Sequence, residues 1–155
     1  MLRLTLIALA LTVFGCGDPP GPTPEQLAVF EEEVDLEVVI PSVRNAMRFD
    51  VARVEAPAGA TVRLVIDNST TSSPAMIHNV VVLEAGTEVR TVAEAAARER
   101  DNVPDDPAIL AFTPLAGPGQ KTAVVFTMPP PGEYPFVCTY PGHWQTMQGV
   151  LVSTR

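Results

Sequence analysis

The chain has 155 residues, of which 18 are acidic and 10 are lysine or arginine, so its formal net charge is −8 at pH 7. This length allows one domain with its own hydrophobic core. The acidity argues against binding to nucleic acid or electrostatic attachment to anionic lipid, and it favours a partner of basic charge.

The first 16 residues have the pattern of an export signal. Arg3 gives a positive start, Leu4 to Phe14 is an apolar run too short to span a bilayer as a helix, and Cys16 follows as in the lipobox of bacterial lipoproteins. We expect residues 1–16 to be a signal peptide and Cys16 to be lipidated. The alternative is an ordinary secretory signal cleaved near Gly17. Both place the chain outside the cytoplasm, in the periplasm or another extracytoplasmic space, and a lipid anchor is the only membrane attachment expected.

Residues 17–34 are predicted to be a proline-rich and acidic linker. Gly17 to Pro24 contains four prolines and cannot hold a regular helix or strand. Gln26 to Glu33 is open to two interpretations, a short helical turn or disorder. The folded domain is expected to occupy residues 35–155.

Short runs of alternating β-type residues, separated by Gly and Pro turns, begin at Asp35. Runs with this spacing predict an all-β sandwich. The predicted strands are Asp35–Ile40, Met47–Val54, Thr61–Asp67, Ile77–Leu83, Lys121–Met128, Tyr134–Cys138 and Gly149–Ser153. Tyr134 also resembles the tyrosine corner of Greek-key sandwiches, which would make it structural.

One segment has helical rather than strand character. Thr91 and Glu94 form the pattern of a capping box, and an alanine-rich run follows them until Pro104 ends it. This predicts a helix of about ten residues that forms a flap on the sandwich.

Soft metal ligands are few and clustered. Cys138, His143 and Met147 lie within ten positions, and His78 is the only other histidine. Once Cys16 is assigned to the N-terminal signal, Cys138 has no disulfide partner in the same chain. Two His, one Cys and a weak axial Met are the ligands of blue copper electron-transfer sites. Packing of Met147 in the core is the alternative for that residue.

The same region resembles the azurin-like cupredoxins, the type 1 blue copper protein family, over most of residues 35–155. The matching motifs are Met76-Ile-His78-Asn79, the helical flap, Asp105–Thr113, Gly117-Pro-Gly-Gln-Lys121 and Cys138-Thr-Tyr-Pro-Gly-His143 with Met147 and Gly149. The resemblance implies a Greek-key cupredoxin fold of about eight strands and one type 1 copper ion. Two positions depart from the family: the N-terminal disulfide has no counterpart, and Ile77 stands where azurins have Gly.

The resemblance also assigns roles to individual residues. His78 and His143 would bind copper through ring nitrogens and Cys138 through its thiolate. Met147 would be the long axial ligand, and the carbonyl of Ile77 a weak ligand on the opposite side. Asn79 and Thr139 would support the ligands from outside the coordination sphere; capping of a loop is the alternative for Asn79.

An apolar collar is predicted around the edge of His143. It consists of Met76, Tyr140, Pro141 and Trp144, and such a patch suits docking of a partner. Packing of Trp144 on the end of the sandwich is the alternative.

The function that follows is a one-electron carrier that cycles between Cu(I) and Cu(II) and exchanges electrons with redox proteins. The alternative is a copper-binding or copper-delivery module without a role in electron transfer, although the Met-rich or His-rich tracts typical of such proteins are missing. An enzyme is not expected, because copper oxidases and nitrite reductases need further His ligands and the chain has only two histidines.

Overall fold

A computed structural model describes residues 23–155, so the predicted signal peptide and Cys16 lie outside the described residues. The described chain forms β1 (Leu36–Pro41), β2 (Arg53–Pro57), β3 (Thr61–Asp67), β4 (Val81–Leu83), β5 (Ile109–Phe112), β6 (Lys121–Thr127), β7 (Gly132–Val137) and β8 (Gln148–Thr154), with the helices α1 (Pro24–Ala28) and α2 (Val89–Ala96). Neither helix in this part of the chain is long and apolar enough to cross a membrane.

The strands form two sheets, ordered β1-β3-β6 and β2-β8-β7-β4-β5. β1 runs parallel to β3 and β2 parallel to β8, whereas the other neighbours are antiparallel. Alternating side chains from both sheets meet in one apolar core. Its fully buried members include Ile40, Val62, Ile66, Val82 and Phe136. The predicted all-β cupredoxin sandwich is confirmed.

Two predicted strands are shorter than expected. β2 begins at Arg53, and the residues before it form a loop in which Phe49 makes one bridge to Ser42. The alternation of apolar and polar residues in 47–54 arises because this loop turns inward. It buries Phe49 against the ring of Phe136, with 5.5 Å between the ring centroids. Similarly, β4 starts only at Val81. β5 was not predicted as a strand.

The helix was predicted in the right region with the wrong start. α2 begins at Val89, and the side chain of Glu88 accepts a hydrogen bond from the backbone N–H of Arg90. Thr91 therefore lies inside the helix, and the capping box proposed for it is wrong. Tertiary packing sets the position of α2, since its buried face lies on a small apolar cluster of the larger sheet.

The acidic segment before β1 contacts the sandwich. α1 begins with a capping box between Thr23 and Gln26, which agrees with the helical-turn interpretation. Arg63 of β3 then donates to the backbone carbonyls of Val29 and Glu32. The domain boundary at residue 35 stays a prediction.

Candidate metal centre

Three predicted ligands converge at one end of the sandwich. Nδ1 of His78 lies 3.1 Å from Nδ1 of His143, and the Sγ of Cys138 lies 3.9 Å and 3.7 Å from these two nitrogens. All three side chains are buried, and within residues 23–155 they form the one group of three potential ligands close enough to share an ion.

The spacing of these atoms fits a trigonal metal site. With metal–nitrogen bonds of about 2.0 Å and metal–sulfur bonds of about 2.3 Å, three ligands about 120° apart are separated by about 3.5 Å (N to N) and 3.7 Å (N to S). The distances in the structure, 3.1, 3.7 and 3.9 Å, are close to these values. The donor set of two imidazoles and one thiolate suits copper.

Burial keeps the three groups uncharged when no metal is bound. It lowers the pKa of His78 to about 4, with the nearby His143 adding to the shift, and it also lowers the pKa of His143. Burial raises the pKa of the Cys138 thiol to about 11, against the opposing effect of hydrogen bonds from the backbone N–H groups of Asn79 and Tyr140. A metal cation bound here would favour the deprotonated form of Cys138. The two backbone N–H groups already point at this sulfur and would stabilise the thiolate further.

Two loops hold His78 in place. His78 forms a two-bond bridge with Ala116, in which His78 N donates to Ala116 O at 3.1 Å and Ala116 N donates to His78 O at 2.7 Å. The buried amide of Asn68 donates to the carbonyls of Met76, Ala116 and Gly117 at 2.9 to 3.1 Å. Asn68 was not predicted; its signal was a lone Asn just after a strongly apolar strand.

The second ligand segment is a tight loop after β7. Cys138 N donates to the carbonyl of Met147, and His143 N donates to that of Tyr140, both at 3.0 Å. Gly142 has a φ of 84°, which favours glycine and turns the chain back toward the sulfur. The side chain of Met147 is fully buried in the same core cluster as Cys138. Its axial role, like that of the Ile77 carbonyl, stays a prediction.

Asn79 connects the two ligand segments. Its Nδ2 donates to Thr139 Oγ1 at 2.8 Å, and its Oδ1 accepts from Thr139 N at 2.8 Å. The hydroxyl of Thr139 donates to the carbonyl of Asn102 at 2.6 Å. Asn102 has a φ of 58°, and its amide donates to the carbonyl of Ala96, the last residue of α2, and to that of Glu99 just beyond the helix. This third attachment point was missed from sequence, although an Asn just after a helix is typical of a residue with positive φ.

His78 Nε2 has no hydrogen-bond partner in the described part of the chain, and it is the one buried side-chain nitrogen or oxygen there without one. Nδ1 faces the cluster, so metal binding at Nδ1 would leave the proton on Nε2. Histidine ligands usually donate that second N–H to a neighbouring acceptor.

The predicted collar is only partly assembled around His143. The ring of Tyr140 lies 4.9 Å from that of His143, and Met76 and Pro141 are partly or fully exposed. Trp144 is partly buried and packs against the apolar cluster beneath α2. This contact favours the structural alternative for Trp144.

Known proteins with similar sequences are copper-binding proteins, in agreement with this group of ligands. The family model described as copper binding proteins, plastocyanin/azurin family, matches residues 36–153. Auracyanin-A of Chloroflexus aurantiacus is 30% identical over 157 residues, which cover 98% of this chain and 94% of that protein. Azurin of Methylobacillus flagellatus is 32% identical over 71% of this chain and 80% of its own length. Auracyanin-B of Chloroflexus aurantiacus is 31% identical, and the match spans about half (52%) of its length.

Solved structures agree with the sequence matches. Auracyanin from Roseiflexus castenholzii superposes with a TM-score of 0.70 at 32% identity and covers 77% of this chain and 97% of its own. Auracyanin A, described as a blue copper protein, gives a TM-score of 0.69 at 31% identity over 76% of this chain and 98% of its own. The chain therefore belongs to the plastocyanin/azurin family of copper-binding proteins, and it is a blue copper protein with one type 1 copper ion.

Proposed function

We propose that the protein carries single electrons between redox proteins, with copper bound by His78, Cys138 and His143 and with Met147 as the axial ligand. The observation that carries this proposal is the convergence of two Nδ1 atoms and one Sγ within 4.8 Å in a buried position. Bound copper supplies a one-electron Cu(I)/Cu(II) couple.

The residues around the ligands favour fast exchange of electrons. Burial of all three ligands excludes water, and the bonds from Asn79 to Thr139 fix the spacing of the two ligand segments. A site that keeps its geometry in both oxidation states needs little reorganisation. The role is transfer of electrons, without a reaction catalysed on a substrate.

Absorption and EPR spectra of the copper-loaded, oxidised protein test the site. The expected result is an intense blue band from thiolate-to-copper charge transfer, with one copper per chain. A colourless, copper-loaded sample would refute the proposed ligand set. Rapid loss of copper to a mild chelator would favour the alternative of copper delivery.

The protein is also proposed to act outside the cytoplasm, anchored through lipid on Cys16. The support is the sequence of residues 1–16. Mass spectrometry of the mature N-terminus tests this. Diacylglycerol and an acyl chain on Cys16 are expected, whereas an unmodified terminus near Gly17 would indicate an ordinary secretory signal.

A further inference from the structure

The end of the sandwich that carries the ligand cluster, here the copper pole, has most of its acidic residues on the side of α2. The segment after α2 carries Glu99, Asp101, Asp105 and Asp106, and its Asn102 carbonyl accepts the hydrogen bond from Thr139. The rest of the copper pole is built from four loops that are joined to one another by hydrogen bonds. Only one of the chain's 18 acidic residues, Asp50, belongs to them. Three of the four contain no charged residue at all. The loops are residues 42–52, 68–80, 113–120 and 138–147.

The charged loop is held against the metal centre. The hydroxyl of Thr146, in the ligand loop, donates to the carbonyl of Met47 at 2.6 Å. The Oδ1 of Asn45 accepts from the backbone N–H groups of Ser72 and Ser73, each at 3.0 Å. The loop is therefore fixed beside both ligand segments.

This loop places two exposed arginines, Arg44 and Arg48, at the rim of the copper pole. Neither makes an ion pair within residues 23–155, whereas Arg53, Arg63 and Arg90 all pair with glutamates. Met47, between them, is 44% exposed. Arg44 shares a shallow cleft with Asp50, so part of its charge is offset and Arg48 is the freer of the two.

We propose that the redox partner docks at the copper pole through a face with an apolar centre and flanking carboxylates that meet Arg44 and Arg48. This deepens the proposed electron-transfer function and rests on it. An acidic partner is repelled by the acidic surface elsewhere, including the segment after α2, and meets a neutral or positive surface on the side of the copper pole that carries Arg44 and Arg48. A basic partner would be drawn first to the acidic regions away from Arg44 and Arg48. On this side of the copper pole, the local charge thus reverses the preference for a basic partner that net charge alone suggests.

The first test measures the local charge with small redox probes. Hexacyanoferrate(III), a trianion, takes one electron from Cu(I) and leaves Cu(II) and hexacyanoferrate(II), which stopped-flow absorption follows through the growing blue band. The variants are Arg48→Glu and, as the matched control, Arg155→Glu. Arg155 follows β8, which runs away from Met147, and at about 3.3 Å per residue it lies about 26 Å from Met147.

The two variants change the net charge equally, but they are expected to differ in the rate of electron transfer to hexacyanoferrate(III). Reversing one charge about 10 Å from a trianion slows the reaction about fivefold at 0.1 M ionic strength, where the Debye length is also about 10 Å. The same reversal more than about 20 Å away changes the rate less than about 1.5-fold. Hexaammineruthenium(II), a cation that reduces Cu(II), should show the opposite order. Equal effects of both variants on the rate would refute the claim that Arg48 creates a local positive charge at the copper pole.

The second test imitates the partner's face with a gold electrode coated by mixed methyl- and carboxylate-terminated alkanethiols. The wild type is expected to adsorb and give a reversible copper wave, Arg48→Glu to lose most of that wave, and Arg155→Glu to keep it. A wave as strong for Arg48→Glu as for the wild type would overturn the proposal. A blue protein that exchanges electrons with neither electrode nor probe would instead contradict the proposed function.

Discussion

Replacement of Asn79 by alanine tests how the two ligand segments are held together. The change removes the bond to Thr139 Oγ1 and leaves Thr139 N–H buried without a partner. Loss of the first costs about 1 kcal/mol and the stranded N–H costs about 1–3 kcal/mol, so the free energy of unfolding should fall by about 3 kcal/mol. Thr146→Val, which removes one hydroxyl bond at an exposed position of the ligand loop, should cost less than about 1 kcal/mol.

Urea unfolding of the copper-free protein, followed by circular dichroism, measures both changes. Combining Asn79→Ala with Thr139→Val in a double-mutant cycle isolates the contact. Because both residues belong to one network, a coupling energy of about 0.5–3 kcal/mol is expected. A loss below about 1 kcal/mol for Asn79→Ala, or no coupling, would refute the view that this amide holds the segments together.

Four further changes probe the site and the core. Cys138→Ser should abolish the blue band and retain the β-sheet circular dichroism, because the residue lies at one end of the sandwich. Met147→Leu should keep copper and raise the reduction potential in voltammetry, since an axial donor that stabilises Cu(II) is lost. Gly149→Ala would place a Cβ in collision with the Phe136 ring, and urea unfolding should show a fall of about 1–3 kcal/mol in the free energy of unfolding. In the copper-free protein the pKa of His78 is about 4, below its value of about 6.5 in the unfolded chain. The unfolded chain therefore binds a proton first as the pH falls. About 3 kcal/mol of the free energy of unfolding, present above pH 6.5, is lost as the pH falls toward 4.

Each of these has a contradicting outcome. An unfolded Cys138→Ser protein would contradict the peripheral position of the site, and a copper-free Met147→Leu protein would contradict the axial assignment. Wild-type stability for Gly149→Ala would show that the Phe136 ring moves aside freely. A stability of the copper-free protein that stays constant from pH 7.5 to 4.5, or falls equally in His78→Gln, would contradict the acid sensitivity assigned to His78.

The metal centre was the part best predicted from sequence, because ligand chemistry restricts which residues can take part. Two histidines and one unpaired cysteine left few combinations, and the structure brings all three together. The tyrosine corner is likewise seen, with Tyr134 Oη donating to Pro130 O at 2.8 Å. Family and cofactor are confirmed.

Features that depend on tertiary contacts were predicted less well. The alternation around Phe49 reflects a buried ring in a loop, which local periodicity cannot distinguish from a strand. The start of α2 follows its packing on the larger sheet, which outweighed a good capping pattern at Thr91. Asn68 donates to backbone carbonyls up to 49 residues away, and Asn102 accepts from Thr139, 37 residues away. Local sequence does not identify such distant partners.

The 60-residue separation between His78 and Cys138 has a consequence for maturation of the protein. The two segments meet only when β4 pairs with β7, so an unfolded chain offers copper no assembled site. Copper then acts as a cross-link that closes a long loop only in the folded state, and its binding energy adds to folding by mass action. The apparent melting temperature should therefore rise with free copper concentration, and a chain that folds before it meets copper would be the species that is loaded.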